Sequence, residues 1–206
     1  MKKVLITGFD PFGGEKINPA LEAVKKLKDI EFSNIELRVK EIPTVFYKSI
    51  KILEDTVREF EPDVVICIGQ AGGRSEITVE RVAINVIDAR IPDNENNKLV
   101  DTPIIEDGAA AYFSTIPIKD IVLNIKKAGI PASVSNTAGT FVCNQLLYGL
   151  MHVISTKYNN ITGGFIHIPY LPEQAANYNN QPSMSLLDMV KALEIAVNVA
   201  AQNVLE

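Results

Sequence analysis

The sequence predicts an α/β protein: a three-layer α/β/α sandwich on a twisted, mostly parallel open sheet, with an added antiparallel hairpin. Three observations carry the prediction. Short apolar runs alternate with stretches of helical spacing, the pattern of strands covered by helices. The run DVVICIG, Asp63–Gly69, is continuously apolar, as a strand buried on both faces must be. The chain of 206 residues shows no repeat, low-complexity segment or linker, so one domain over 1–206 accounts for all of it.

The elements follow in order. Lys3–Phe9 alternates as a first strand, and the turn-rich DPFGGEKINP comes after it. Asn18-Pro19 reads as an N-cap and first helical position, opening a helix to about Leu27. Ile35–Ile42 is a second strand. Thr44–Phe60 has helical spacing, with Phe46, Ile50, Leu53, Val57 and Phe60 on one face. Asp63–Gly69 is the buried strand. Ile77–Ala89 reads as extended structure and supplies the expected hairpin. Residues 90–115 are polar and Pro-rich, a long loop of the kind that forms lids or rims. Ile118–Ala128 is a helix, Ala132–Asn136 a strand, Phe141–Tyr158 a helix and Gly163–Pro169 a strand. Ser185–Val204 closes the chain as an amphipathic helix, with Ser185 and Asp188 as a cap pair.

Composition excludes several function classes. The chain is 47% hydrophobic and 22% charged, which is globular rather than disordered. Its net charge is −5 with no basic block, which argues against nucleic acid. No apolar run nears the ~18 residues of a membrane span. The start MKKVLITGFD has too short an apolar part for a signal peptide and alternates like a strand. The expected location is the cytoplasm. Two cysteines, Cys67 and Cys143, cannot build a zinc site of Cys pairs, and no His-x-x-x-His or Cys-x-x-Cys spacing exists. No metal and no cofactor are expected. A disulfide is disfavoured in a reducing compartment, so both are read as free thiols.

Cys67 sits inside the buried strand and reads as an inert core residue. Cys143, in NTAGTFVCNQ, leaves more open. It is a buried helix residue, half of a bond, or a nucleophile. Its position just past a strand end, in the first turn of a helix, favours a thiolate through unpaired N–H groups and the helix dipole. A free thiol titrates near 8.5, so mostly thiolate at neutral pH requires a shift to about 6 and an imidazolium neighbour. Of the two histidines, His152 lies mid-helix, two to three turns beyond Cys143, and reads as structural. His167, at the end of an apolar strand in GGFIHIPYLPEQ, is the better general base. Glu80 interrupts the apolar ITVERVAIN on the face of Thr78 and could orient an imidazole, or merely pair with Arg81 or Arg90. The glycine-rich GFDPFGG and GQAGGRSE could cradle an anion, but neither is a P-loop, and both serve equally well as tight turns.

Three segments, GQAGGRSEITVERVAIN, SNTAGTFVCNQ and GFIHIPYLPEQ, resemble the active-site motifs of the type I pyroglutamyl peptidases. The opening ITGFDPFGG…NPA and the loop IPDNENN…AYFSTIPI resemble that family too, so the match spans about residues 4–175. Ala20 and Ala109 depart from its pattern, away from the reacting groups. The resemblance implies a cysteine exopeptidase that removes N-terminal pyroglutamate from peptides. Cys143 would be the nucleophile, His167 the base and acid, and Glu80 its orienter. Arg90, with the Cys143 N–H, would face the oxyanion. It assigns Phe9, Phe12, Phe141 and Val142 to the ring pocket and gives Gln70 a hydrogen bond to the lactam. It also implies a homo-oligomer, dimer or tetramer. Two rivals remain: a binding module for a small anion or nucleotide, and a nucleoside phosphorylase of similar layering. The first makes Cys143 structural, and the second gives the paired Cys143 and His167 segments no role.

Overall fold

The continuously apolar run lies in the interior of a six-stranded sheet. In the computed structural model, which describes residues 1–203, the strands are β1 (Lys2–Phe9), β2 (Ile35–Ile42), β3 (Val64–Gln70), β4 (Ile77–Glu80), β5 (Val82–Ile84), β6 (Ala111–Phe113), β7 (Ala132–Ser135) and β8 (Thr162–Ile168). The helices are α1 (Pro19–Lys26), α2 (Lys48–Phe60), α3 (Ile118–Lys127), α4 (Val142–Lys157), α5 (Pro172–Ala175) and α6 (Leu186–Gln202). The main sheet has the order β2-β1-β3-β8-β4-β7. All its neighbours are parallel except β8 and β4, which run antiparallel.

Alternation along the strands divides the core in two. Val4, Ile6, Val64, Ile66 and Ile166 point to the layer of α1, α3 and α6. Leu5, Val65, Cys67 and Phe165 point to α2 and α4. Both faces of β3 are therefore covered, and Val64–Gly69 is buried without a break. Burial of each such side chain contributes ~1.5–3 kcal/mol.

Local signals set the helix ends. The Asn18 side chain accepts from Ala20 N at 3.0 Å and donates to Asp10 O at 2.9 Å, with Pro19 opening α1. Ser185 caps α6 by accepting from Asp188 N at 3.1 Å. Val204, the expected end of that helix, lies outside the described residues.

Two expectations need correction. Helical spacing from Thr44 overshoots, because α2 begins at Lys48. Tyr47 has φ 59°, which ends any helix there. The N–H groups of Thr44 and Phe46 instead donate to Asp10 Oδ1 (2.7 Å) and Asp93 Oδ2 (2.9 Å). The antiparallel pair exists, but not within Ile77–Ala89. β4 joins the main sheet, and β5 pairs with β6, which lies inside the segment read as loop. Asn144 of α4 fixes this small sheet. It accepts from Ile84 N at 3.0 Å and donates to Ile84 O at 2.9 Å and Val86 O at 3.0 Å. The rest of the long segment is organised by buried Asp93, which also accepts from the N–H groups of Glu95 and Asn97, each at 2.9 Å.

Candidate active site

β3, β8 and α4 bring Gly69, His167 and Cys143 together. Gly69 and His167 are register partners on β3 and β8, and Cys143 stands second in α4. Gly69 matters for what it lacks. A Cβ there would lie 2.9 Å from Cys143 Sγ and 2.8 Å from the Phe165 ring. The thiol occupies the space a side chain would fill, on the strand position next to His167.

The route by which Cys143 arrives differs from the one expected. It does follow a strand, but β7 runs parallel to β4, and β4 antiparallel to β8. β7 therefore points against β1, β2, β3 and β8, and loop 136–141 must carry the chain back to the site. Strand direction is not written in local apolar pattern. The same reversal buries Glu80. In the β4–β8 register, Thr78 lies opposite His167 and Glu80 opposite Phe165, one step deeper in the sheet. From there Glu80 Oε1 meets His167 Nδ1 at 2.7 Å.

Glu80 is 0% and His167 4% exposed. Burial alone would push the Glu80 carboxyl up, but hydrogen bonds and charge from His167, with Arg74, bring it below its ordinary value. An ionised Glu80 accepts, so Nδ1 of His167 carries a proton and Nε2 presents its lone pair. Burial lowers His167 more than Glu80 raises it, and Arg74 lowers it further. Desolvation pushes the Cys143 thiol up to about 12, with Glu80 adding to it. These directions favour a thiol beside a neutral imidazole over a preformed thiolate–imidazolium pair. Cys67, 0% exposed, is likewise pushed up to about 12 by burial.

Phe141 lies two residues before Cys143 and packs against Phe12 (centroids 6.2 Å) and edge-on against Phe46 (5.3 Å). Phe12 and Phe141 are half-buried and offer aromatic surface beside the thiol. Phe9 (2% exposed) and Val142 (0%) lie behind this wall, within the core. Gln70 Oε1 accepts from Gln174 Nε2 at 3.1 Å, which holds its carboxamide with the amino end as the remaining donor. Phe141 makes no side-chain cap to α4, and the first helical bond runs from Gln145 N to Phe141 O. The N–H groups of Val142, Cys143 and Asn144 thus stand outside the helix ladder. Arg90 is exposed, two residues from Asp88, whose N–H donates to Thr140 O at 2.9 Å. His152 is remote from the thiol and shares a 3.0 Å hydrogen bond with the Tyr112 hydroxyl.

Sequence reasoning missed two neighbours. Phe46 was assigned to a helix face, when its ring braces Phe141. In sequence Arg74 is only part of a glycine-rich turn, yet it pairs with Glu80 at 2.7 Å, while Arg81 turns away to Asn136 Oδ1 at 2.8 Å. The only available signal was the isolated charge of Arg74 an even number of residues before Thr78 and Glu80. Among the described residues no cluster of His, Cys, Asp and Glu could hold a metal, and no helix is long and apolar enough to cross a membrane.

Comparison with known proteins agrees with this architecture. Pyrrolidone-carboxylate peptidase of Bacillus cytotoxicus is 61% identical over 202 residues, covering 98% of this chain and 94% of that protein. The enzyme of the same name from Brevibacillus brevis is 60% identical over 197 residues, covering 96% and 92%. The crystal structure of Bacillus amyloliquefaciens pyroglutamyl peptidase I superposes with a TM-score of 0.96 at 55% identity, covering 98% of each chain. A pyrrolidone carboxyl peptidase variant from Pyrococcus furiosus gives 0.95 at 44% identity, covering 98% of this chain and 100% of that one. The family model described as pyroglutamyl peptidase matches residues 2–203, and on that match the chain belongs to the pyroglutamyl peptidase family.

Proposed function

We propose that this chain, as a single catalytic domain over residues 1–206, is a cysteine exopeptidase that removes an N-terminal pyroglutamyl residue from peptides. The observation that carries the reading is the Glu80–His167 contact at 2.7 Å beside a thiol seated on Gly69. Cys143 Sγ attacks the carbonyl that joins the lactam to the next residue. His167 Nε2 takes the thiol proton as the S–C bond forms, so no stable thiolate is needed beforehand. Glu80 then faces an imidazolium and stabilises it. The N–H groups at the start of α4, Cys143 foremost, receive the developing oxyanion, and Arg90 is assigned to the same side. His167 returns its proton to the leaving amine, and the thioester remains. Water, activated by the same nitrogen, releases pyroglutamate and restores the thiol.

Pyroglutamate is flat, neutral and without a free amine. Aromatic surface from Phe12 and Phe141 suits its ring, backed by Phe9 and Val142, and the Gln70 carboxamide suits its polar edge. A metal has no step to perform in this scheme, and no cofactor enters it. Cytoplasmic location and assembly as a dimer or tetramer belong to the same reading.

Release of a chromophore from a pyroglutamyl amide tests it. Wild type and Cys67→Ala turn over, Cys143→Ser does not, a chelator changes nothing, and the prolyl amide is a poor substrate. A folded, reduced wild type with no turnover would sink the proposal.

A further inference from the structure

The glycine-rich turn after β3 has no place in the scheme above, and its last polar residue shows what it delivers. Arg74 N–H donates to Ala71 O at 3.2 Å, which closes the turn, and Gly73 takes φ +88°. The turn sends the Arg74 side chain back toward the sheet. Its Nη1 donates to Thr78 Oγ1 at 2.5 Å and Glu80 Oε1 at 2.7 Å, and its Nη2 to Thr137 O at 3.1 Å. Thr78 and Glu80 belong to β4, opposite β8. Thr137 belongs to the loop that leads into Cys143.

We propose that Arg74 is a positioning residue: its guanidinium ties the carboxylate that orients His167 to the loop that presents Cys143. The proposal rests on the assignment of Glu80, His167 and Cys143 made above. Three features support it. The planar fork of a guanidinium reaches several fixed acceptors at once, as an ammonium cannot. Arg74 and His167 converge on one oxygen of Glu80, Oε1, while Oε2 is buried without a partner. Ser135, across the β4–β7 pair, donates its hydroxyl to Thr137 O at 3.1 Å, the same carbonyl that accepts from Arg74. Arg74 thus places a full positive charge on the same carboxylate oxygen that holds His167. The same charge lowers both His167 and Cys143, so it favours loss of the thiol proton while it disfavours the imidazolium.

Arg74→Gln, Arg74→Lys, Glu80→Gln, Cys143→Ser and the Arg74→Gln/Glu80→Gln double variant test this in one chromogenic assay across pH. Arg74→Gln is expected to lower kcat/KM on the order of 10²-fold, the scale of a misplaced catalytic group. Its acid limb should move to higher pH, because a cation that repels the imidazolium is gone. Arg74→Lys keeps the limb near its wild-type position but recovers kcat/KM only in part. In the Glu80→Gln background, Arg74→Gln should cost much less than in wild type, since its main partner is already altered. A merely structural arginine would move neither the limb nor the coupling. A folded Arg74→Gln with wild-type kcat/KM and limb, or with an equal cost in both backgrounds, overturns the proposal. If Arg74→Gln does not fold, Arg74→Lys decides, and full wild-type kcat/KM there overturns the three-acceptor tie. Turnover by Cys143→Ser would instead defeat the underlying assignment. An inactive Cys143→Ser beside an unaffected Arg74→Gln defeats the Arg74 proposal alone.

Discussion

In the proposed scheme His167 must be neutral to accept the thiol proton, and burial holds it below the ordinary histidine value of 6.5. The acid limb of kcat/KM reports the free enzyme, so it should fall below 6.5. A limb above 7 would mean that Glu80, rather than burial, dominates. The same shift bears on stability. In the unfolded chain the imidazole binds its proton more readily, so stability is complete above about 6.5 and declines as pH drops toward the native value. Glu80 acts in the same direction further down: its carboxyl is depressed in the folded state, so its contribution holds above the unfolded carboxylate range and is lost in acid. Glu80→Gln replaces an acceptor-only carboxylate with a neutral carboxamide that can also donate to Nδ1, so neither the Nδ1–H tautomer nor the imidazolium is held, and kcat/KM should drop by ~10²–10⁴. Thiol chemistry gives an independent check. With Cys143 pushed up to about 12, the rate of alkylation by iodoacetamide should climb through pH 9 without a plateau. A plateau near pH 6 would indicate a preformed thiolate–imidazolium pair.

At the scale of elements, the meeting of β3 with α4 depends on an absent side chain. Gly69→Ala places a methyl 2.9 Å from Sγ. It should therefore abolish turnover while circular dichroism still reports a folded chain. Asn144→Ala leaves the Ile84 N–H and the carbonyls of Ile84 and Val86 without their partner, which costs roughly 3 kcal/mol by denaturant titration. Elements were legible where their cause is local. The Asn18-Pro19 start, the Ser185 cap, β2 and the buried β3 are all set by neighbours in sequence. What escaped the reading depends on distant partners. Thr44–Tyr47 has helical spacing, but Asp10 and Asp93 claim its N–H groups from elsewhere in the chain. The direction of β4 follows from its pairing with β8, and that of β7 from its pairing with β4, about which their own residues say nothing. Glu80, His167 and Cys143 could be named as candidates because chemistry restricts the residue types. The thiol's protonation state could not, because desolvation depends on the whole surrounding layer.

The two faces of the sheet divide the labour of the molecule. α1, α3 and α6 close one side over an apolar cluster, while α4 on the other side also carries Cys143, the nucleophile of the proposed scheme. Leu193→Ala on α6 should cost ~2–5 kcal/mol of stability and leave kcat/KM of the folded fraction unchanged. A large loss of kcat/KM there would show that the far layer tunes the site. The position of β8 has a consequence for how the protein is made. It is the last strand in sequence, yet it lies between β3 and β4 in the sheet. While a nascent chain is still shorter than Thr162, β3 keeps one edge unpaired and β4 has nothing to join it to the rest. Such a chain exposes apolar strand edges that invite self-association. It also contains Cys143 and Glu80 but no His167, so in the proposed scheme it lacks the base. Insertion of one central strand then joins the two parts of the sheet and, on the proposed reading, brings the imidazole to the thiol in the same event.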